Sequence, residues 1–256
     1  MGAAIGSVGA GPARRAATFA PLELPTALAA LQPLVAGLDR STPAGPATPE
    51  PTPEPAADDA PLSQDALWQE TAQFLQAGDI VLADQGTCFY GMAPHRLPAD
   101  VTFVGQPLWA SIGYTLPALL GACTAQPGRR GILLIGDGAA QLTAQELATV
   151  LQQRLPAVVV VVDNDGYTVE RAIHGPNEPY NDIAHWDWTR LPAALGGTGV
   201  ITARVGTVGE LGRALELADA NRGAITVVQA FVPADDVPPL LASLTRVLGR
   251  AATRTA

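Results

Sequence analysis

The sequence is poor in the residues that build covalent or zinc-based scaffolds. It has two cysteines and three histidines among 256 residues. Cys88 and Cys123 stand far apart, without a CxxC pattern or a Cys/His metal spacing around either of them. The sequence therefore gives no support for a disulfide framework or a zinc site, and this cysteine usage predicts a reducing, cytoplasmic compartment.

Positive charge is also scarce. Fifteen Lys and Arg residues stand against 24 Asp and Glu, which gives a formal net charge of −9 and a pI near 4.7. The densest basic spots are the pairs at 14–15 and 129–130, for which solvated loops are the expected setting. No basic field is present that would hold nucleic acid or an anionic membrane surface, so neither is expected as a partner.

Long apolar segments are missing as well. The longest unbroken apolar run, residues 157–162, is far too short to cross a bilayer. At the amino terminus the arginines follow a weak Gly/Ala run, which is the reverse of a secretory signal. What is present is 48% hydrophobic residues, enough for one substantial core and a smaller appendage.

Composition divides the chain into three parts. Residues 41–60 (STPAGPATPEPTPEPAADDA) are rich in Pro, Ala and acid and lack large apolar side chains, so they predict a linker. Residues 1–40 carry apolar side chains for one amphipathic helix and indicate the end of a larger unit. Residues 61–256 carry the strand and helix patterns of the main domain.

Apolar runs and helix signals alternate along this main domain. The predicted strands are 79–83, 131–135, 157–162 and 224–232. The predicted helices are 63–76 with Ser63 as cap, 108–125 with an interruption at Pro117, 142–155, 207–220 with a capping box of Thr207 and Glu210, and 237–248. The segment DQGTCFYG (84–91) is predicted to be a loop. Strands that alternate with helices predict an α/β fold, a parallel sheet flanked by helices on both faces.

Two short polar motifs follow consecutive predicted strands, GDG at 136–138 and NDG at 164–166. Right-handed crossovers can bring the carboxyl ends of such strands side by side. The first motif, with glycines for a tight turn, would expose N–H groups to a phosphate at the start of the next helix. Oxygens from Asp137, Asn164 and the backbone near Gly166 would form an oxygen-only site that suits Mg²⁺ and leaves room for phosphate.

Each motif alone could be an ordinary turn, because Gly, Asp and Asn are common in turns. Their joint placement at two strand ends favours the phosphate and metal site. No GxGxxG follows a predicted strand, and no GxxxxGK[ST] occurs, so a nicotinamide site and a P-loop are disfavoured.

The GDG motif followed 27 residues later by Asn is similar to the cofactor fingerprint of thiamine-diphosphate enzymes. Between residues 62 and 241 the chain more narrowly resembles the indolepyruvate and phenylpyruvate decarboxylases, relatives of pyruvate decarboxylase. The segments that carry this likeness are ADQGT (83–87), QPLWASIGYTLPA (106–118), GDGAAQLTAQEL (136–147), GYTVERAIHGP (166–176) and YNDIAHWDW (180–188). The resemblance implies the thiamine-diphosphate-binding fold and non-oxidative decarboxylation of an aromatic 2-oxo acid.

The resemblance also implies thiamine diphosphate and Mg²⁺ as cofactors. By position, Asp137 and Asn164 would hold Mg²⁺ through their side chains and Gly166 through its carbonyl. Three further residues would contact or adjoin the diphosphate: Thr87, and Gly138 and Ala139 through their N–H groups.

Three residues would act on the reactive part of the cofactor. Ile112 matches the bulky residue that holds the family's cofactor in its bent form, and Ala110 stands where relatives often have Gly, with a carbonyl that would accept the 4′-amino hydrogen bond. Glu170 matches the active-site glutamate, whose setting beside an apolar cofactor pocket would suit proton handling after CO₂ leaves. Without the resemblance, Glu170 would more simply be a surface salt-bridge partner of Arg171 or Arg154.

The remaining histidines and tryptophans of these segments have plainer interpretations. His174 and His185 are expected to be hydrogen-bonded structural histidines. Trp186 and Trp188 are expected to be core and interface aromatics rather than substrate contacts.

Members of this family bind the cofactor between two domains, and the resemblance implies a pyrimidine-binding domain ahead of residue 1 or on another chain. Residues 1–40 look like the end of the family's middle domain, and the His-His pair of the pyrimidine domain does not occur here. The chain could be a subunit of a split decarboxylase, an inactive truncated fragment, a cofactor-binding scaffold or part of an acetolactate-synthase-like carboligase. Expected partners are a 2-oxo acid, the missing pyrimidine domain or amino-terminal half, and further copies of the complete protein. These 256 residues alone are expected to show little turnover.

Overall fold

The computed structural model describes residues 56–253, with side chains up to Arg246, and two isolated positions, Thr26 and Ala29. The segment 1–40, predicted to be the end of a middle domain, and most of the linker predicted at 41–60 lie outside the described residues. At the end of that linker, the carbonyls of Asp58 and Ala60 accept hydrogen bonds from Gly209 and Val208. The predicted boundary at residue 61 stays a prediction.

The described strands form one wholly parallel sheet, which confirms the predicted α/β fold. They are β1 (Ile80–Ala83), β2 (Thr102–Val104), β3 (Gly131–Gly136), β4 (Ala157–Asp163), β5 (Ile201–Val205) and β6 (Thr226–Phe231). Their order is β2-β1-β3-β4-β6-β5. β2 and β5 were not predicted, because both are short, partly exposed edge strands without a continuous apolar run.

Helices surround this sheet. They are α1 (Gln64–Phe74), α2 (Thr87–Met92), α3 (Thr115–Ala125), α4 (Asp137–Thr143), α5 (Glu146–Gln152), α6 (Thr168–His174), α7 (Leu191–Ala194), α8 (Val208–Ala220) and α9 (Pro239–Thr253), with a 3₁₀ turn at Pro179–Asn181. Within the described part of the chain, no helix combines the length and the apolar character that a membrane span requires.

The two predicted caps are confirmed. Ser63 accepts a hydrogen bond from the N–H of Ala66 at the start of α1. At the start of α8, Thr207 accepts from the Glu210 N–H while the Glu210 carboxylate accepts from the Thr207 N–H. Each cap satisfies first-turn donors that have no partner within the helix.

Three predicted segments differ from the structure. The helix expected over 108–125 begins at Thr115, so Pro117 lies in its first turn, where no intrahelical N–H bond is lost. The loop expected at 84–91 contains α2. The helix expected over 142–155 is two helices, and the first of them begins at Asp137, inside the GDG motif.

The core lies on both faces of the sheet. Every residue of β4 is buried, with Val158 and Val160 packing into one apolar cluster and Val159 and Val161 into the other. Successive side chains of a strand point to opposite faces, so a strand covered on both sides needs apolar residues at every position. This is the physical reason that β3 and β4 stand out in the sequence.

Arg130, which was expected in a solvated loop, is instead buried at the amino-terminal edge of the sheet. It forms a two-pronged ion pair with Asp79, at 2.7 Å from Nη2 to Oδ2 and 3.1 Å from Nε to Oδ1. Its guanidinium also lies 4.4 Å from the ring centroid of Phe74. The sequence prediction failed because it treated the Arg pair as a charge run, whereas a buried Asp precedes the neighbouring strand.

Candidate functional site

One cavity lies at the carboxyl ends of β1, β3 and β4, where the two motifs meet. Gly136 of β3 pairs with Val162 of β4, which sets the motifs side by side as the sequence predicted. The cavity is lined by every residue that the sequence analysis proposed for the site: Thr87, Ala110, Ile112, Asp137, Gly138, Ala139, Asn164, Gly166 and Glu170. It is also lined by residues that the sequence analysis did not propose: Gln85, Gly86, Cys88, Gly136, Tyr167, Thr168 and Val169.

The Asn164 amide lies next to an oxygen of Asp137 and to the carbonyl oxygen of Gly166. In one orientation of the Asn164 amide, its Oδ1 lies 3.2 Å from Asp137 Oδ1 and 2.9 Å from the Gly166 carbonyl oxygen. In the flipped orientation the amide nitrogen occupies that place and donates to both oxygens, while Oδ1 accepts from Thr168 Oγ1 at 3.0 Å. The Asn164 amide can therefore hydrogen-bond to both oxygens through its nitrogen, or it can turn its own oxygen toward them and form a set of three oxygens around a cation.

The oxygen separations fit a small divalent ion. An octahedral ion with metal–oxygen bonds of about 2.1 Å holds neighbouring ligand oxygens roughly 3 Å apart. Among the described residues no group of three His, Cys, Asp or Glu side chains is placed to hold a metal ion. One carboxylate, one amide and one backbone carbonyl form a hard-oxygen set, which is the kind of ligand that Mg²⁺ prefers.

The charge of Asp137 also favours a cation here. Burial raises the pKa of Asp137 to about 7. The N–H groups of Gly138 (2.8 Å) and Gly166 (3.0 Å) donate to its carboxylate and oppose this shift, whereas the negative charges of Asp163 and Asp165 add to it. Ionised Asp137 is therefore short of compensating positive charge, and a bound cation would supply it.

Beside these oxygens lie the first turns of two helices. Ala139 is in the first turn of α4, where backbone N–H groups lack intrahelical partners, and Thr87 begins α2 on the other side. A Cβ on Gly138 would come within 2.5 Å of the Tyr167 ring, so close packing requires glycine there. The prediction that a tight turn needs glycine at 136 was wrong: Gly136 ends β3 with an ordinary φ of −70° and open space for a Cβ.

The loop that carries Ala110 and Ile112 forms the opposite wall. Ala110 adopts a left-handed backbone conformation with φ of +60°, which costs an L-residue about 1 kcal/mol. Its N–H donates to the Gln106 carbonyl at 3.2 Å, and the Ser111 N–H donates to the Gln106 side chain at 3.2 Å. Ile112 remains about one third exposed on the cavity side.

Ala110→Gly should raise the unfolding temperature of the chain, because glycine accepts the left-handed conformation without the Cβ clash. A gain of about 1 kcal/mol corresponds to a rise of roughly 2–4 °C for a domain of this size. The matched control is Ala122→Gly inside α3, which should lower stability by a similar amount. Equal losses in the two variants would contradict the strain at Ala110.

Glu170 lies on α6 at the rim of the cavity. Its Oε2 is 2.7 Å from His174 Nδ1, one helical turn away, and its side chain is 41% exposed. The alternative salt bridge to Arg171 is not formed, since the Arg171 guanidinium donates to Asp182 and to the carbonyls of Asn164 and Asp165. Glu170 therefore faces the cavity with one neighbouring imidazole as its hydrogen-bond partner.

The remaining sequence candidates lie around the site without entering it. His174 hydrogen-bonds Glu170 as described, and His185 lies 3.4 Å from Asp165 on the surface. Trp188 is buried in the core as expected, while Trp186 stacks against it with ring centroids 5.2 Å apart and stays partly exposed.

Comparisons with known proteins identify the domain that contains this cavity. Residues 84–230 match the family described as thiamine pyrophosphate enzyme, C-terminal TPP binding domain. The chain is similar to the alpha-keto-acid decarboxylase of Mycobacterium tuberculosis, with 54% identity over 227 residues, 88% of this chain and 40% of the relative. A protein of the same name from Mycolicibacterium paratuberculosis is 53% identical over 229 residues, 89% of this chain and 41% of the relative. The chain thus spans about two fifths of the length of these relatives.

Proposed function

Because the chain belongs to the thiamine pyrophosphate enzyme family and carries its C-terminal TPP-binding domain, we propose that it is the diphosphate-binding part of a non-oxidative 2-oxo-acid decarboxylase. The observation that carries this proposal is one cavity in which the Asn164 amide lies between oxygens of Asp137 and Gly166, beside the first turn of α4. Such a site suits a divalent cation bound together with a diphosphate, because each ion neutralises part of the charge of the other.

In the proposed complex, Asp137, Asn164 and the Gly166 carbonyl hold Mg²⁺. Asp137 supplies the charge, and its burial keeps water from competing for the ion. The N–H groups of Gly138 and Ala139 would orient the diphosphate, with Thr87 adjoining it from α2. The Gly138 N–H, which donates to Asp137 Oδ1 at 2.8 Å, would then be shared between that carboxylate and the diphosphate. Asp137, Gly138 and Ala139 lie on a helix that starts directly at β3, and Asn164 and Gly166 follow β4 within three residues. The charged end of the cofactor would thus be bound at the rigid edge of the sheet.

The loop on the opposite wall would set the shape of the cofactor. Ile112 would support the bent form, and the Ala110 carbonyl would accept the 4′-amino hydrogen bond, a backbone role that does not require glycine. When bound, thiamine diphosphate supplies the electron sink that a 2-oxo acid needs to lose CO₂. Glu170 would hold or deliver the proton required after that loss, from a position on the same cavity rim.

The chain covers only 40% of the length of the M. tuberculosis relative. We propose that a pyrimidine-domain polypeptide or an amino-terminal half completes the active site, and that the complete protein is a homo-oligomer. We also propose a cytoplasmic location, in keeping with the free, buried thiols of Cys88 and Cys123. A truncated fragment or a binding scaffold would retain cofactor binding without turnover.

The test uses a hybrid enzyme, defined as the amino-terminal part of the M. tuberculosis alpha-keto-acid decarboxylase joined ahead of this chain. Supplied with phenylpyruvate and pyruvate together, thiamine diphosphate and Mg²⁺, it should release phenylacetaldehyde as the main product. The unmodified relative serves as the control for assay and assembly. An excess of acetolactate-type products would overturn the decarboxylase proposal in favour of a carboligase, and a preference for pyruvate would overturn only the aromatic assignment.

A further inference from the structure

Asp84 is a buried carboxylate outside the set of residues assigned to the cofactor, and it links two walls of the cavity. It follows β1 directly and is 1% exposed. Its backbone N–H donates to the Leu134 carbonyl of β3 at 2.8 Å, and its carbonyl accepts from the Phe89 N–H of α2 at 3.0 Å. Asp84 is therefore fixed to the sheet and to the helix that begins with Thr87.

Its side chain reaches across to the opposite wall. Oδ1 accepts from the Gly113 N–H at 3.1 Å, while Oδ2 accepts from the Thr115 N–H at 3.1 Å and from Thr115 Oγ1 at 2.6 Å. Three donors from one short segment thus converge on a single carboxylate. Burial raises the pKa of Asp84, and the hydrogen bonds from Thr115 and Gly113 act against that rise.

These contacts hold the segment that follows Ala110 and Ile112. Gly113 has a φ of +77°, and a Cβ there would lie 3.0 Å from the Ala139 carbonyl oxygen, so the segment approaches α4 closely. Thr143 Oγ1 donates to the Gly113 carbonyl at 2.8 Å from the other side. Gly113 is consequently clamped at its N–H by Asp84 and at its carbonyl by Thr143.

We propose that Asp84 is a positioning residue: it fixes Ala110 and Ile112 relative to the diphosphate-binding end of the cavity. The inference rests on the proposed function, because it assigns Asp84 to the orientation of the cofactor that this cavity would hold. Asp84 acts through the loop and does not line the cavity itself. Without the Asp84 carboxylate, the residues proposed to bind Mg²⁺ and the diphosphate stay in place. The loop that carries Ala110 and Ile112 is then no longer held.

The first measurement needs no cofactor. Hydrogen exchange of the peptide covering 106–115 should be accelerated in Asp84→Asn, because an amide offers one acceptor and one donor where the segment presents only donors. Thr115→Val removes only the shortest of the three hydrogen bonds and keeps the side-chain shape, and Thr115→Ser should restore it. The matched control is Asp79→Asn at the other end of β1, which breaks the buried pair with Arg130. That control should lower stability without a selective change in residues 106–115.

The second measurement adds thiamine diphosphate and Mg²⁺ to the same variants and records cofactor affinity and the near-ultraviolet circular dichroism induced in the bound cofactor. Asp84→Asn and Thr115→Val should alter the induced signal per bound cofactor while raising the Kd only roughly tenfold, since the charged end stays bound. In the hybrid enzyme, Thr115→Val should lower kcat by up to about 100-fold with KM changed much less, the consequence of a misplaced reacting group.

The outcomes separate the two claims. If neither the wild-type chain nor the hybrid enzyme binds thiamine diphosphate, the proposed function fails and the role of Asp84 fails with it. If the wild type gives the signal and Thr115→Val matches it in exchange, affinity and spectrum, the positioning role alone is overturned, even where Asp84→Asn does not fold. Altered spectra in Asp79→Asn would likewise overturn it, because general destabilisation would then explain the effect.

Discussion

Asp137→Asn should abolish the stabilisation that thiamine diphosphate and Mg²⁺ give to the chain, while making the ligand-free chain less sensitive to pH. The substitution removes the charged metal ligand and leaves the diphosphate charge incompletely neutralised. A ligand at about 100 times its Kd stabilises a protein by about 2.7 kcal/mol, which is several degrees in the unfolding temperature of a domain of this size. Wild type should show this shift, and the variant should show none.

The pH dependence follows from the raised pKa of Asp137. In the folded, ligand-free chain this pKa is about 7, above the ordinary value of 3.8, so the group stabilises the fold fully below pH 3.8. This contribution of Asp137 to the free energy of unfolding, at most about 4 kcal/mol, is lost as the pH rises through about 7. Urea unfolding with a chelator present should therefore show that the free energy of unfolding falls more steeply from pH 4 to 8 in wild type than in Asp137→Asn.

Asp165→Asn is the matched control for both measurements. Asp165 neighbours the same site but is exposed, and its positive φ is one that Asn tolerates. The control should keep the ligand shift and most of the wild-type pH slope, because burial is the largest cause of the raised pKa of Asp137 and the charge of Asp165 adds only a smaller part. An undiminished ligand shift in Asp137→Asn would refute the metal assignment, and equal pH slopes in all three proteins would refute the raised pKa.

Glu170→Gln should lower kcat of the hybrid enzyme by about 10²-fold or more, the usual scale of a lost acid–base group. Its effect on the Kd of thiamine diphosphate and on KM should stay within about threefold, because the charged end of the cofactor is held elsewhere in the cavity. The amide keeps the size of the side chain but cannot exchange a proton. Steady-state kinetics with phenylpyruvate and cofactor titration on the same preparations provide the comparison.

The matched control is Glu178→Gln, an exposed glutamate just after α6. It should leave both constants unchanged. A parallel loss of cofactor affinity in Glu170→Gln would make Glu170 a structural residue, and an unchanged kcat would remove it from the reaction.

The sequence predicted the centre of the fold and the charged end of the site for one physical reason. β3 and β4 are buried on both faces, so their apolar runs are continuous and their ends are unambiguous. The polar residues after those ends must then meet, as Asp137 and Asn164 do. The local pattern could not predict β2 and β5, because an edge strand with one exposed face requires fewer apolar residues.

The contacts of Asp84 show what the sequence alone could not provide. Asp84 stands in a segment that resembles a polar loop, and its partners lie 29 and 31 residues farther along the chain. A hydrogen bond of that kind depends on how two loops are brought together by strands that are not adjacent in sequence. The left-handed conformation of Ala110 has the same origin, since alanine itself gives no sign of a positive φ.

The strand order explains why the cavity opens where it does. From β1 the chain crosses to β2 on one side, and it then returns to place β3 on the other side of β1. The helices that follow β1 and β3 accordingly lie on opposite faces of the sheet: Cys88 of α2 packs in one apolar cluster and Ala140 of α4 in the other. The backbone separates at this topological switch point and leaves a crevice before any polar side chain is considered. Variants that lose the ligands, such as Asp137→Asn, should therefore keep an open crevice, which makes this edge of the sheet a scaffold on which a different anion site could be built.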